Sequence, residues 1–150
     1  VLAALDQAQK PDAVQVIANL MDSPGALQRY AEPPQPRAIA AAARARSVGV
    51  MGIRAVQAGA LTAGVDRDLS PNSPDNADFL RAAPFRDLCA GWGEDPAQVA
   101  HHYALSLANY DTIVLGVKNR AELAQCLAAE AAGPMDAARV AAIDALGLSL

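Results

Sequence analysis

Cysteine, histidine and aromatic residues are scarce in this 150-residue chain, and the scarcity narrows its chemistry. Its two cysteines, Cys89 and Cys126, stand far apart with no CxxC or Cys/His ligand spacing, which argues against a disulfide scaffold or a metal site and fits a reducing cytoplasm. No apolar run reaches the roughly 18 residues of a membrane span, and no basic-then-apolar leader opens the chain. Lysine and arginine are scattered and the net charge is −4, so neither nucleic acid nor an anionic membrane meets an electrostatic footprint. The first residue is Val1 rather than Met, and 1–9 reads like the middle of a helix, so the expectation is a piece of a longer protein. What is present is apolar: 53% hydrophobic against 19% charged residues predicts a folded core.

Three short runs read as buried strands: 13–18 (AVQVIA), 48–53 (VGVMGI) and 112–115 (TIVL). Apolar runs this short, with little alternation and many β-branched residues, suit a parallel sheet covered on both faces. A helix follows each. Alanines and arginines predict one over 37–47, after the Pro-rich turn 32–36. Gly59, Gly64, Pro71, Asn72, Ser73 and Pro74 mark a long connection, with short helices expected over 77–82 and 85–90. Asp95, Pro96 and Gln98 form a helix start running to about Leu107, with Gln98 placed to reach back as in a capping box. Asn119 and Glu122 repeat that pattern before Leu123, Cys126 and Leu127 on one helical face, and a last helix is expected over 136–146. This β-α-β-α-β-α order implies right-handed crossovers, and three strands alone would leave two open edges, so closure by strands outside the chain is inferred.

In such a barrel, ligands sit at the C-terminal strand ends, which here means Gln15 and Asn19, 53–59 and 116–119. Gly116 directly after a strand lets a ligand approach the backbone, the following helix start favours a phosphate, and Lys118 and Arg120 add positive charge. A well-capped αβ turn would look the same. Gln15 and Asn19 could fix a carboxamide or simply bond a loop. His101 and His102 lack an acidic or cysteine partner three or four residues away and read as structural. Tyr30, Tyr103, Tyr110 and Trp92 read as packing or loop anchors, and Cys89 has no neighbouring base. Ser23, Ser70 and Ser73 lie in no nucleophile-elbow context.

Taken in order, these segments resemble the C-terminal half of the aldo-keto reductase superfamily over nearly the whole chain. Residues 12–21 (DAVQVIANLM) resemble its sixth strand, with Gln15 and Asn19 at the recurring positions; 49–64 (GVMGIRAVQAGALTAG) is similar to the seventh strand and its Gly-x-Leu-Thr-x-Gly loop. Residues 112–127 resemble the eighth strand and the helix after it, and 133–146 the closing helix. The resemblance implies a (β/α)8 TIM barrel of which this chain supplies strands six to eight, a single partial domain over 1–150 with a long substrate-side loop at 65–94. It also implies hydride transfer between a nicotinamide cofactor, NADP(H) ahead of NAD(H), and a small-molecule carbonyl compound. Gln15 would hold the nicotinamide carboxamide. Ile53, Arg54, Ala55, Val56, Gly59 and Leu61 would run beneath the nicotinamide and along the pyrophosphate. Gly116, Val117 and Lys118 would meet the adenosine end, with Glu122 and Cys126 beside it.

Several positions depart from that pattern. Ile53 stands where many members stack an aromatic ring, Ala55 replaces a common Pro, Glu122 a Gln or Arg, and Cys126 an adenine-reaching Asn. A carboxylate at 122 would repel a 2′-phosphate unless Lys118 offset it. The family's Asp, Tyr, Lys and His tetrad comes from earlier strands, and nothing here matches it, so no catalytic residue is assigned and the partner implied is the missing N-terminal half of the barrel. Two other readings stand beside the reductase: a non-catalytic, reductase-like cofactor-binding or regulatory protein, and an unrelated α/β interaction module.

Overall fold

Valine and isoleucine dominate the segments that pair into strands, because branched side chains pack well on a pleated, covered surface. A computed structural model describes residues 1–27 and 32–149, which leaves Tyr30 outside the described residues. The helices are α1 (Leu2–Leu5), α2 (Pro36–Arg44), α3 (Pro74–Arg81), α4 (Ala83–Trp92), α5 (Pro96–Leu105), α6 (Arg120–Ala131) and α7 (Ala137–Asp144). The strands are β1 (Ala13–Ile17), β2 (Gly49–Ile53) and β3 (Thr112–Ile113), in a parallel sheet of order β1-β2-β3. Ala13 pairs with Gly49 and Ile17 with Ile53; Met51 pairs with Thr112 and Gly52 with Ile113. Among the described residues no helix is long and apolar enough to cross a membrane.

The expected boundaries need correction in several places. β3 ends at Ile113 rather than Leu115: Val114 N still donates to Gly52 O at 2.7 Å, but beyond it the chain leaves the sheet. Of residues 1–9 only Leu2–Leu5 is helical. α2 stops at Arg44, three residues short, where the chain tightens and Ser47 takes a left-handed φ of 55°. α3 starts earlier than expected because Ser73 caps it, accepting from Asn76 N at 3.2 Å, with Pro74 in its first turn. α4 extends to Trp92 and ends on Gly93 at φ 70°, a conformation glycine adopts without a Cβ penalty.

Two cores hold these elements. Beneath the sheet, Val16, Val48 and Val50 pack against Ala40 and Ala43 of α2 and Leu5 of α1, the alanines allowing close approach. The larger core joins Phe85 and Cys89 of α4, Val99 and Tyr103 of α5 and Ile143 of α7 to Leu20, Met21 and Leu61 in the segments after β1 and β2. Burying Phe85 completely contributes about 1.5–3 kcal/mol. That core fixes the strand-end loops from behind. On the opposite sheet face Gln15 is exposed and Ile17, Met51 and Ile53 are half-buried.

Candidate functional site

The sharp turn after β2 is where the backbone departs furthest from ordinary geometry. Arg54 (φ 64°), Gln57 (φ 47°), Ala58 (φ 52°) and Gly59 (φ 92°) all take positive φ. Thr62 braces the turn, its hydroxyl donating to Gly59 O at 2.8 Å. Opposite it lies the turn after β3. Asn119 caps α6 by accepting from Glu122 N at 2.9 Å, and the Glu122 carboxylate answers by accepting from Lys118 N at 2.8 Å and from Asn119 Nδ2 at 3.0 Å. The expected capping box therefore forms, shifted by one residue. At α5 Asp95 accepts from Ala97 N and Gln98 N, and no return bond from Gln98 forms among the described residues.

Between these two turns lies a cleft of about 580 Å³. Of the expected site residues, Arg54, Ala55, Val56, Gly59, Gly116, Lys118 and Glu122 line it. Gln15 and Ile53 do not: they line a separate, largely apolar groove of about 510 Å³ that Leu2 of α1 and the prolines Pro33, Pro34 and Pro36 also wall. Val117 is exposed and outside both linings. Leu61 is wholly buried in the larger core, so its side chain faces away from the cleft. Cys126 is buried too, its sulfur 3.6 and 3.8 Å from the two ring nitrogens of His101.

Asn19 is likewise engaged inside: its Nδ2 donates to Arg54 O at 3.1 Å and Gln57 Oε1 at 3.2 Å, and its Oδ1 accepts from Met21 N. Leu123 and Leu127 are exposed, so Cys126 alone of the expected α6 face turns inward.

Charge around the cleft is arranged in pairs. Lys118 Nζ forms an ion pair with Asp66, and Arg67 reaches Asp75 at 3.4 Å. The hydrogen bond from Lys118 is the chief cause holding the Asp66 carboxyl below its usual range. Arg54 turns its guanidinium behind the loop toward Asp75 at 3.5 Å, and burial lowers its pKa against the pull of Asp75 and Asp78. Sequence reasoning missed Asp66, Arg67 and Gln125, and read His101 as structural; all four also line the cleft. No local pattern marks them, because only tertiary packing brings them there.

Two glycines leave the backbone of the cleft open. A Cβ built on Gly116 or Gly64 would meet nothing within 4 Å, and neither glycine needs a left-handed φ. Open space therefore lies beside Gly116, ahead of the start of α6. Among the described residues nothing accepts from the amides of Arg120 and Ala121, whose place in the first turn denies them intrahelical partners.

Neither described tyrosine is a free proton donor. Tyr103 donates to Asp144 at 2.5 Å and accepts from Arg37 at 3.0 Å, while Tyr110 donates to Ile17 O at 2.6 Å. Burial pushes both up to about 12, with the Asp144 carboxylate adding to the effect at Tyr103. The Cys89 thiol is also pushed up to about 12 by burial. Burial lowers the His101 pKa, favouring its neutral ring, and His102 is tied to Gly133 O at 2.8 Å. Both histidines do have partners, but on elements far away in sequence.

No curated protein matches the chain. The aldo/keto reductase family model matches residues 2–147, and the chain belongs to that family. The family reduces carbonyl compounds with nicotinamide cofactors, and the parallel α/β sheet fits a barrel of the TIM type.

Proposed function

We propose that this member of the aldo/keto reductase family serves as strands six to eight of its barrel and supplies the pyrophosphate and adenosine side of a nicotinamide-cofactor seat. The enzyme would reduce aldehydes or ketones to alcohols. The carrying observation is the cleft, in which the backbone after β2 and Gly116 after β3 face one space flanked by Lys118 and Glu122. Gln15 stands on the neighbouring face beside Ile53, where its amide would hold the carboxamide and the aliphatic Ile53 would replace ring stacking.

When bound, the nicotinamide supplies the hydride. This chain's own residues bind and orient. The first-turn amides of Arg120 and Ala121, and the Lys118 ammonium on exchanging Asp66 for the ligand, would meet phosphate oxygens. The Glu122 charge is met by two donors, and exposed Arg120 adds a cation nearby, which supports NADP(H) ahead of NAD(H). Among the described tyrosines, Tyr103 and Tyr110 are engaged elsewhere, and the proton donor would come from the rest of the barrel. Two buried free thiols fit a reducing, cytoplasmic setting.

Titration with NADPH and with NADH, read by cofactor fluorescence, tests the reading: saturable binding of NADPH tighter than NADH is expected, and no binding of either would end it. Carbonyl-dependent oxidation of the bound cofactor then separates a reductase from a binder without turnover.

A further inference from the structure

Four positive-φ residues within 54–59 make an expensive loop for a chain of L-residues, and three of the four are not glycine. Something must hold it. Behind the cleft a buried polar chain runs across three segments. Gln57 is fully buried; its Oε1 accepts from Arg54 Nε at 2.9 Å and from Asn19 Nδ2 at 3.2 Å, and its Nε2 donates to Asp78 Oδ2 at 2.6 Å. Asp78, on α3 and only 5% exposed, also accepts from Ser23 Oγ at 2.6 Å and from Arg81 at 3.0 Å.

The polarity of this chain has one solution. An ionised carboxylate only accepts, so it compels the Gln57 amide to present its NH2 toward Asp78. The carbonyl end must then face Arg54 and Asn19, both donors. Asp78 at one end and Arg54 and Asn19 at the other therefore hold Gln57 one way round, and Gln57 in turn fixes the backbone whose other side is the cleft wall at Ala55, Val56, Ala58 and Gly59.

We propose that Asp78 is a positioning residue for the cofactor loop, acting through Gln57, and that it couples the long 65–94 segment carrying α3 to the cofactor cleft. The assignment rests on reading that cleft as a nicotinamide-cofactor seat. A rearrangement of α3, as when substrate contacts the 65–94 segment, changes the grip on the cofactor, and bound cofactor stabilises α3 in return.

Three isosteric variants test it in the protein as it exists: Asp78→Asn, Gln57→Glu, and both together. Cofactor affinity is measured by NADPH fluorescence titration, alongside the thermal midpoint without cofactor. Asp78→Asn must turn its NH2 toward Arg81 or toward Gln57 and Ser23, all of them donors to Asp78, and so loosens the grip on Gln57, while Gln57→Glu sets two carboxylates against each other; each raises Kd for NADPH roughly tenfold. The double variant reverses donor and acceptor, letting the new amide at position 78 donate to the new carboxylate at position 57, and returns Kd to within about threefold of wild type. A merely structural role predicts lowered thermal midpoints with unchanged Kd for the folded protein, and that result overturns the proposal. If neither single variant folds, the double variant decides: folded with near wild-type Kd it supports the coupling, and folded with tenfold weaker binding it refutes it. Wild-type protein that binds neither NADPH nor NADH ends the cofactor reading and this assignment with it. Wild-type binding combined with an unaffected Asp78→Asn ends this assignment alone.

Discussion

Replacing Gly116 with alanine separates what the fold requires from what a ligand requires. An added Cβ meets no heavy atom within 4 Å, and the residue does not need the left-handed region. The folded state therefore tolerates the methyl group, and the less flexible unfolded chain shifts stability upward by about 0.4–1 kcal/mol. For a domain of this length that corresponds to a rise of roughly 2–4 °C in Tm per kcal/mol. A phosphate drawn against the backbone at 116 would instead meet the methyl, with a cost like that of overpacking, about 1–3 kcal/mol, equivalent to a loss of roughly 5–150-fold in affinity. The assay is paired: thermal unfolding without ligand, then NADPH titration by fluorescence. Unchanged or raised Tm with weakened binding is expected. Wild-type affinity in Gly116→Ala would show that no ligand approaches the backbone there, and a lowered Tm would show that the space beside α6 is not open.

Gly52 offers the opposite case. Its missing Cβ would lie 2.6 Å from Ala18 Cβ, 3.0 Å from Tyr110 Cδ1 and still closer to Ile113, so Gly52→Ala should cost about 1–3 kcal/mol in urea unfolding, and a neutral result would contradict the strand packing. Glu122→Arg removes the acceptor for Lys118 N and Asn119 Nδ2 and adds a cation. It should destabilise α6 by about 0.5–2 kcal/mol while raising the NADPH-to-NADH affinity ratio roughly tenfold; an unchanged ratio would move Glu122 away from the 2′-position. Burial raises Cys89 from 9.0, and Tyr103 and Tyr110 from 10.0, each to about 12. The folded state then holds protons that the unfolded chain releases, so their contribution is complete below pH 9 and is lost as pH rises to 12. Thermal midpoints should fall across that window, and Cys89→Ala should soften the fall where it begins; a flat profile would contradict the burial of these groups.

The order of strands and helices was legible because short apolar runs mark the strands and capping residues mark several helix starts. Asp95, Asn119 and Asp136 each accept amides at their helix starts. Strand limits for β1 and β2 came within a residue, while β3 came out short because register, which composition does not encode, pairs it only with Met51 and Gly52. Periodicity placed Leu123, Cys126 and Leu127 together, but what lies opposite a face is a tertiary fact, and only Cys126 meets α5 through His101. The same limit hid the Asn19–Gln57–Asp78 chain, whose members come from three separate segments. The division of Gln15 and Ile53 from the remaining site residues also depends on geometry, since alternation along a strand sends neighbours to opposite faces while the chain leaves the sheet at Arg54.

Amide hydrogen exchange with and without saturating NADPH locates the cofactor directly. Protection concentrated in 54–64 and 114–122, with α7 unchanged, is the expected footprint of the pyrophosphate and adenosine lying in the strand-end cleft. Protection confined to other segments, or none at saturation, would contradict the placement of the cofactor between β2 and β3.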